Sequence, residues 1–299
     1  MTRFRSFCKR FHPQLQQLLN LLLILLLGKY AAHLYLPWSH ILFLFFIAAV
    51  TEHLLIYWRR GRVEYLSYSA LNTAAGVMLM MVAPRLWILA FLIVAGLAQK
   101  HLLVRKGRHF YNPSNFALIL GLLLFYRQAH IVLGQLGHER WLGAAVLLLG
   151  ALILLRVGRW IIPLCFSLAY LFFQLRWVGA SDPTLIPETV IYRFFSVSFI
   201  VFILFMLTDP RTTPEKGWQQ ALFAVGVAAV ASWLDAWHGF RVQHLFMALF
   251  LLSPLVPLFS AQAWRDRTLL VFSIGLFLLS LGAIIQIESQ PPYFFEMDR

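Results

Sequence analysis

The chain is a succession of apolar runs, roughly 14 to 22 residues each, closed by short breaks that carry arginine, lysine, proline or a few polar groups. A run of that length crosses the hydrocarbon core of a bilayer as a helix, because only a helix or a closed barrel satisfies every backbone polar group there. Spans are therefore expected at 15–36, 38–58, 68–84, 86–104, 113–126, 141–157, 161–177, 192–208, 218–234, 242–259 and 268–287. Composition excludes a water-soluble globule: 61% of the residues are hydrophobic and 12% charged, with a mean hydropathy of +0.75. The fold class is an all-α polytopic membrane protein, with one transmembrane domain over 15–287, a basic N-terminal segment at 1–14 and a short tail at 288–299.

A net charge of +13 could suggest nucleic acid, but the basic residues sit in small groups beside apolar runs and form no long tract, so no nucleic-acid partner is expected. They read as topology signals. One parity of loops holds Arg3, Arg5, Lys9, Arg10, Arg59, Arg60, Arg62, Lys100, Arg105, Lys106, Arg108, Arg156, Arg159, Arg211, Lys216, Arg265 and Arg267. The other holds Arg85, Arg127, Arg140, Arg176, Arg193, Arg241 and Arg299, a bias of about 17 to 7. This predicts a multi-pass protein of a bacterial cytoplasmic (inner) membrane with its N-terminus in the cytoplasm. The first run, with four basic residues ahead of it and a second run behind it, reads as a retained signal anchor. Cys8 and Cys165 show no paired spacing, so neither a disulfide nor a cysteine-bound metal is expected.

Three segments break the apolar pattern. In Lys106-Gly-Arg-His-Phe-Tyr-Asn-Pro-Ser-Asn-Phe116, Asn112 before Pro113 is a helix start, since the amide oxygen accepts from orphan backbone donors and proline needs none. The short span that follows suits a broken helix with its positive end inside the protein, although an ordinary capped helix fits the local sequence too. In Leu207-Thr-Asp-Pro-Arg-Thr-Thr-Pro214, Asp209 ends a helix, and Thr208, Thr212 and Thr213 crowd hydroxyls at the membrane edge. Ser69, Asn72 and Thr73 share one face of the third span, where they would either bond a neighbouring helix or line a cavity. Glu52 lies two turns inside its span, within reach of Arg59 or Arg60.

His53, His101, His109 and His244 fall near span ends with no clear facing pair among them, so haem is not expected. There is no HExxH, GxSxG or phosphate-binding glycine loop, and no catalytic residue is expected.

These segments, in this order, resemble the membrane proteins of flavin-based respiratory pumps: RnfD of the Rnf electron-transport complex and NqrB of the sodium-translocating NADH:quinone reductase. The resemblance rests on Ser69-Ala-Leu-Asn-Thr73, the Lys100–Phe116 stretch, and Thr208-Asp209-Pro210 with Thr212, and it runs over about 66–259. The "TDPRTTP" turn and the "LLSPLVPL" segment at 251–258 are similar to a stand-alone, UnbU-type branch found with enediyne biosynthesis genes. The resemblance implies ten helices in two inverted five-helix repeats, with 268–287 as an extra C-terminal transmembrane helix. It also implies flavin. The pump proteins carry FMN on a threonine in an S-x-A-T segment after the fifth span; residues 127–140 here contain no threonine, and Val178-Gly-Ala-Ser181 follows the seventh span and ends in serine. Covalent FMN is therefore not expected. What remains is noncovalent riboflavin or FMN in a pocket built from Ser69, Asn72, Thr73, Asn112, Asn115, Thr208, Asp209 and Thr212, in an electron-transfer component whose protein partner supplies electrons. The alternative function is a small-molecule or ion transporter on the same fold.

Overall fold

The computed structural model describes residues 13–31, 34, 36–61, 67–105, 107–132, 140–181, 187–260 and 263–291. The basic residues of 1–12, Arg62, Lys106 and the tail from 292 onward lie outside them, as does 133–139, within the stretch where a flavin-bearing threonine is missing.

The chain forms an all-α bundle. Helix α1 is Pro13–Ala31, α2 Trp38–Arg60, α3 Tyr68–Met80, α4 Leu86–Leu102, α5 Pro113–Leu124 and α6 Arg140–Val157. Helix α7, Ile161–Phe173, is extended by a π-helical turn at Gln174–Val178; α8 is Pro187–Phe195; and α9, Val197–Val201, runs on as a π-helical turn to Met206. Helix α10 is Gly217–His238, α11 is Gln243–Leu252 with a 3-10 extension at Ser253–Phe259, and α12 is Arg267–Glu288. Among the described residues α12 is the last helix, and it occupies the expected span at 268–287.

Four of these segments are long and apolar enough to cross a membrane: α2, α7 with its extension, α10 and α12. Helices α8 and α9 form a bent pair, a fifth span if taken together, with a 67° turn between them. The sequence predicts an unbroken helix at 192–208. The difference arises at Ser196, whose backbone is extended (ψ 125°). One turn earlier, Arg193 is drawn into a buried cluster and turns α8 aside.

Helices α3 and α5 are shorter than expected. At 13 and 12 residues they rise about 20 Å and 18 Å, against a hydrocarbon core of about 30 Å. Each gives way to extended chain. Strand β1 (Met81–Val82), leaving α3, pairs antiparallel with β4 (His130–Ile131), beyond α5, so the backbone groups freed by the two truncated helices satisfy each other. A second small hairpin, β2 (Val104–Arg105) with β3 (Arg108–His109), turns through Gly107 at φ 78° and leads into α5.

Helix α1 lies along α3 and α6, α2 along α4, and α10 along α7 and α11; α12 covers the extension of α11. The apolar core runs through Leu44, Val77, Met78, Leu92, Phe166, Phe202 and Phe246, all fully buried. Leu42, Leu54, Leu168, Phe172 and Leu279 stand exposed on outer faces, as a lipid solvent allows. Two glycines set the position of α5. A Cβ on Gly96 would lie 2.6 Å from the Pro113 carbonyl oxygen, and one on Gly76 would lie 2.6 Å from Ser114 Oγ. Small residues at these crossings let the start of α5 press against the backbones of α3 and α4.

Candidate functional site

At the start of α5, Asn112 sits at the N-cap in extended conformation, and its side-chain oxygen accepts from the backbone N–H groups of Ser114 (3.0 Å) and Asn115 (3.1 Å). That use of the oxygen aims the amide nitrogen outward. Nδ2 donates to Asp209 Oδ2 at 3.3 Å, joining two segments 97 residues apart. Asp209 is fixed in turn by its own loop: Oδ1 accepts from Arg211 N (3.0 Å), and its carbonyl accepts from Thr212 N (3.1 Å) and Thr213 Oγ1 (2.8 Å). Burial alone would raise the Asp209 carboxyl. His109, whose Nε2 lies 3.7 Å from Oδ2, and the N–H and charge of Arg211 outweigh that, and the group is held below its ordinary value of 3.8.

Helix α3 closes the third side. Thr73 Oγ1 bonds back to the Ser69 carbonyl (3.0 Å), Ser114 Oγ donates to the Thr73 carbonyl (3.2 Å), and Asn72 Nδ2 donates to the Gln14 carbonyl at the start of α1 (3.1 Å). Between these elements is a cavity of about 180 Å³ lined by Ser69, Asn72, Thr73, Asn112, Thr208 and Asp209, with Leu21, Leu154, Val201, Leu204, Phe205 and Met206 as its apolar wall. Two buried polar atoms of lining residues, Asn72 Oδ1 and His109 Nε2, have no hydrogen-bond partner among the described residues.

Six of the eight residues singled out in the sequence thus meet around one cavity. The other two do not. Asn115 is fully buried behind the cap, with Nδ2 donating to the Phe246 carbonyl (3.1 Å), so it ties α5 to α11 instead of facing the cavity. Thr212 lies on a neighbouring cavity of about 380 Å³. Thr208 Oγ1 lines the first cavity but is engaged by the Leu204 carbonyl at 2.6 Å.

Sequence reasoning missed the partner of Glu52. Neither arginine reaches it: Lys100 Nζ donates to its Oε1 at 2.5 Å, His101 Nε2 is 3.1 Å from Oε2, and Ser67 Oγ donates at 3.3 Å. Lys100 also donates to Ser69 Oγ (3.1 Å), which connects this buried ion pair to the cavity wall. Arg59 bonds the His101 carbonyl instead. The signal was present in the sequence, as Lys100 precedes the last residues of an apolar span just as Glu52 does.

A second buried cluster, at the opposite ends of the helices, was also missed. Asp235 accepts from Gln174 (2.7 Å), the Arg241 N–H (2.9 Å) and Tyr170 (3.4 Å), and it pairs with Arg193 (3.4 Å) and with His244 Nδ1 (2.6 Å). His244 Nε2 and Arg241 in turn reach Glu288, at 3.3 Å and 3.1 Å. Ending the ninth span at Leu234 hid Asp235 as a loop residue, whereas α10 continues to His238.

Residues 125–267 match the model of a family described as NQR2, RnfD, RnfE. The match takes in Thr208, Asp209 and Thr212 and begins after Ser69, Asn72, Thr73, Asn112 and Asn115. No curated protein matches the chain.

Proposed function

We propose, from the match of residues 125–267 to the NQR2, RnfD, RnfE family, that the chain is a flavin-linked electron-transfer component of the membrane, taking electrons from a partner protein. The single observation that carries the reading is the Asn112–Asp209 contact, 3.3 Å long, which draws an N-capped half-helix and the turn after α9 into one polar cavity.

The donor set suits the pyrimidine edge of an isoalloxazine. Asn72 Oδ1 and Asp209 accept, Asn112 and His109 supply nitrogens, and the aliphatic wall with Phe205 suits the dimethylbenzene end. A cavity of about 180 Å³ is below the roughly 300 Å³ of usual ligand pockets. It would take only one end of the ring system, held by Asn72, Asn112, His109 and Asp209. Bound there, a flavin supplies one- and two-electron redox chemistry. The chain's own contribution is to orient the ring, exclude lipid and offer a carboxylate and an imidazole at its edge. Both lie on the basic face, which we place in the cytoplasm of a bacterial inner membrane by the charge bias.

Purified full-length protein should show the visible absorbance of oxidised flavin in near-stoichiometric amount, or take up added riboflavin or FMN. Asp209→Ala and Asn112→Ala should lower that content about tenfold or more, the loss of one or two charge-assisted hydrogen bonds. Folded protein that is colourless and ignores both flavins would overturn the reading.

A further inference from the structure

Beside the polar cavity, on the same basic face, lies the second and larger one, about 380 Å³, which flavin binding as described above does not use. Its rim and its floor differ in chemistry. Arg105, Arg108, Arg211 and Lys216 stand on the exposed rim against a single carboxylate, Glu215, which pairs with Arg108. Among the described residues no carboxylate lies within ion-pair distance of Arg105 or Lys216. The first turn of α10 contributes Gln219 to the lining, and its N-cap, Lys216, supplies no side-chain acceptor for the orphan N–H groups of that turn. A helix start of 22 residues presenting free donors next to unpaired cations favours an anion with several oxygens. His109, 6% exposed, also lines this space, and its Nε2 lies 3.7 Å from Asp209 Oδ2 on the side of the first cavity.

The floor is apolar. Phe110, Val256, Pro257, Phe259 and Leu269 line it, and its shape is held from behind by Gln219 Nε2, which donates to the Phe259 carbonyl at 2.8 Å. The 3-10 geometry of 253–259 follows from Pro254 and Pro257, which cannot continue the α-helical ladder of α11, and the cavity lies between this segment, the start of α10 and Leu269 of α12. A small inorganic anion would use the rim and leave the floor wet. A neutral lipid would use the floor and leave the cations unmatched.

We infer that this cavity is a binding site for an apolar-tailed phosphate, its phosphate held by Arg105, Lys216, Arg211 and the start of α10, and its chain laid along Val256, Phe259 and Leu269. The site shares His109 and Arg211 with the flavin cavity and is otherwise separate from it, so an occupant here bears on the Asp209 turn from the other side.

The test uses full-length protein in an uncharged detergent, with phosphatidic acid, phosphatidylcholine and inorganic phosphate as probes and retained ligand counted by native mass spectrometry. Wild-type protein retains phosphatidic acid at least tenfold more tightly than phosphatidylcholine. Arg105→Gln combined with Lys216→Gln weakens phosphatidic acid about thirtyfold, the effect of removing two cations at a membrane surface. Phe259→Ala weakens phosphatidic acid and leaves inorganic phosphate unchanged. Equal retention of the two lipids, or a double variant that binds like wild type, overturns the proposal. Inorganic phosphate binding as tightly as phosphatidic acid overturns the apolar-tail assignment and makes the site one for soluble phosphate. Neither Arg105 nor Lys216 touches the flavin cavity, so flavin content is read separately: a colourless protein that still selects phosphatidic acid sinks the electron-transfer reading alone.

Discussion

Asn112 uses one side chain for two tasks: its oxygen caps α5 and its nitrogen holds the Asp209 carboxylate at 3.3 Å. Removing both tasks with Asn112→Ala should cost about 1 kcal/mol for the cap alone, measured by thermal unfolding in detergent. Asn112→Asp keeps the cap but turns a second carboxylate oxygen toward Asp209. It should therefore be no more stable than the alanine variant, and adding Asp209→Asn should restore the hydrogen bond with its polarity reversed. If the N112D/D209N pair is no better than N112D alone, the contact does not organise the cavity.

Acid should weaken the same turn. The Asp209 carboxyl titrates below its ordinary 3.8 in the folded chain, so the unfolded chain takes up its proton first as pH falls. A depressed carboxylate contributes stability that is complete above the unfolded value and disappears as pH drops through the folded one. The unfolding temperature of wild type should be insensitive to Asp209 from neutrality down to about pH 4 and fall below it. Asp209→Asn should lack that acid limb while losing stability at neutral pH. An acid limb of the same size in both proteins would remove Asp209 from the explanation.

The bundle was legible because apolar length and cationic breaks are local signals. Expected and observed ends at Trp38, Tyr68, Leu86, Pro113 and Ile161 coincide. The meeting of Ser69, Asn112 and Asp209 was legible for another reason: polar residues at interrupted helix ends inside a membrane have few places to go except toward one another. What stayed hidden depends on which helices are neighbours. Asn115 and Asn112 have the same chemistry three residues apart, yet one faces the cavity and the other faces α11. Asp235 lies one residue beyond the expected end of its span and is fully buried by Arg193, His244 and Gln174, partners from three other helical segments. The bend at Ser196 was equally unreadable, since the inward pull on Arg193 comes from Asp235, 42 residues away.

Lys100 and Glu52 offer a clean energetic test, since both are buried and 2.5 Å apart. Cutting one partner strands a charge in a low-dielectric interior at a cost of about 3–5 kcal/mol, while replacing both by neutral groups of similar size costs much less. Glu52→Gln and Lys100→Met should each destabilise severely, and the double variant should recover most of the loss. Additive losses would mean the pair is separately satisfied, for instance by Ser69 and His101.

Gly96 should tolerate no side chain. A Cβ there meets a backbone carbonyl, Pro113 O, at 2.6 Å, and beyond it Ala117 Cβ at 3.2 Å, so neither neighbour can rotate away. Gly96→Ala should cost about 1–3 kcal/mol as overpacking and should displace the Asn112 cap from Asp209. Gly61, with nothing within 4 Å of its would-be Cβ, offers a control of different character: it is at φ 65°, so its alanine variant is strained locally without touching the cavity. Thermal unfolding of both, with flavin uptake as the second readout, should show loss of both properties for Gly96→Ala and loss of stability alone for Gly61→Ala.

The Asp235 cluster lies at the other end of the helices and joins α7, α8, α10, α11 and α12. Tyr170 and Arg193 bond each other, and both bond Asp235. Arg193 also lies 3.5 Å over the ring of Phe240, which replaces part of the hydration it gave up. Asp235→Ala removes the one carboxylate shared by Arg193, Gln174 and the Arg241 N–H, leaving Arg193 only the Tyr170 hydroxyl and Gln174 only Ser232 Oγ. It should cost about 3–5 kcal/mol, more than Glu288→Ala, because Glu288 lies at the end of α12 and the partly exposed Arg241 can be hydrated once released. Detergent-purified D235A should unfold well below E288A, and E288A should loosen α12 first, seen as faster proteolysis near its end with the rest of the bundle intact. The reverse order would show that α12 is held through this cluster more firmly than the bend at Ser196 is.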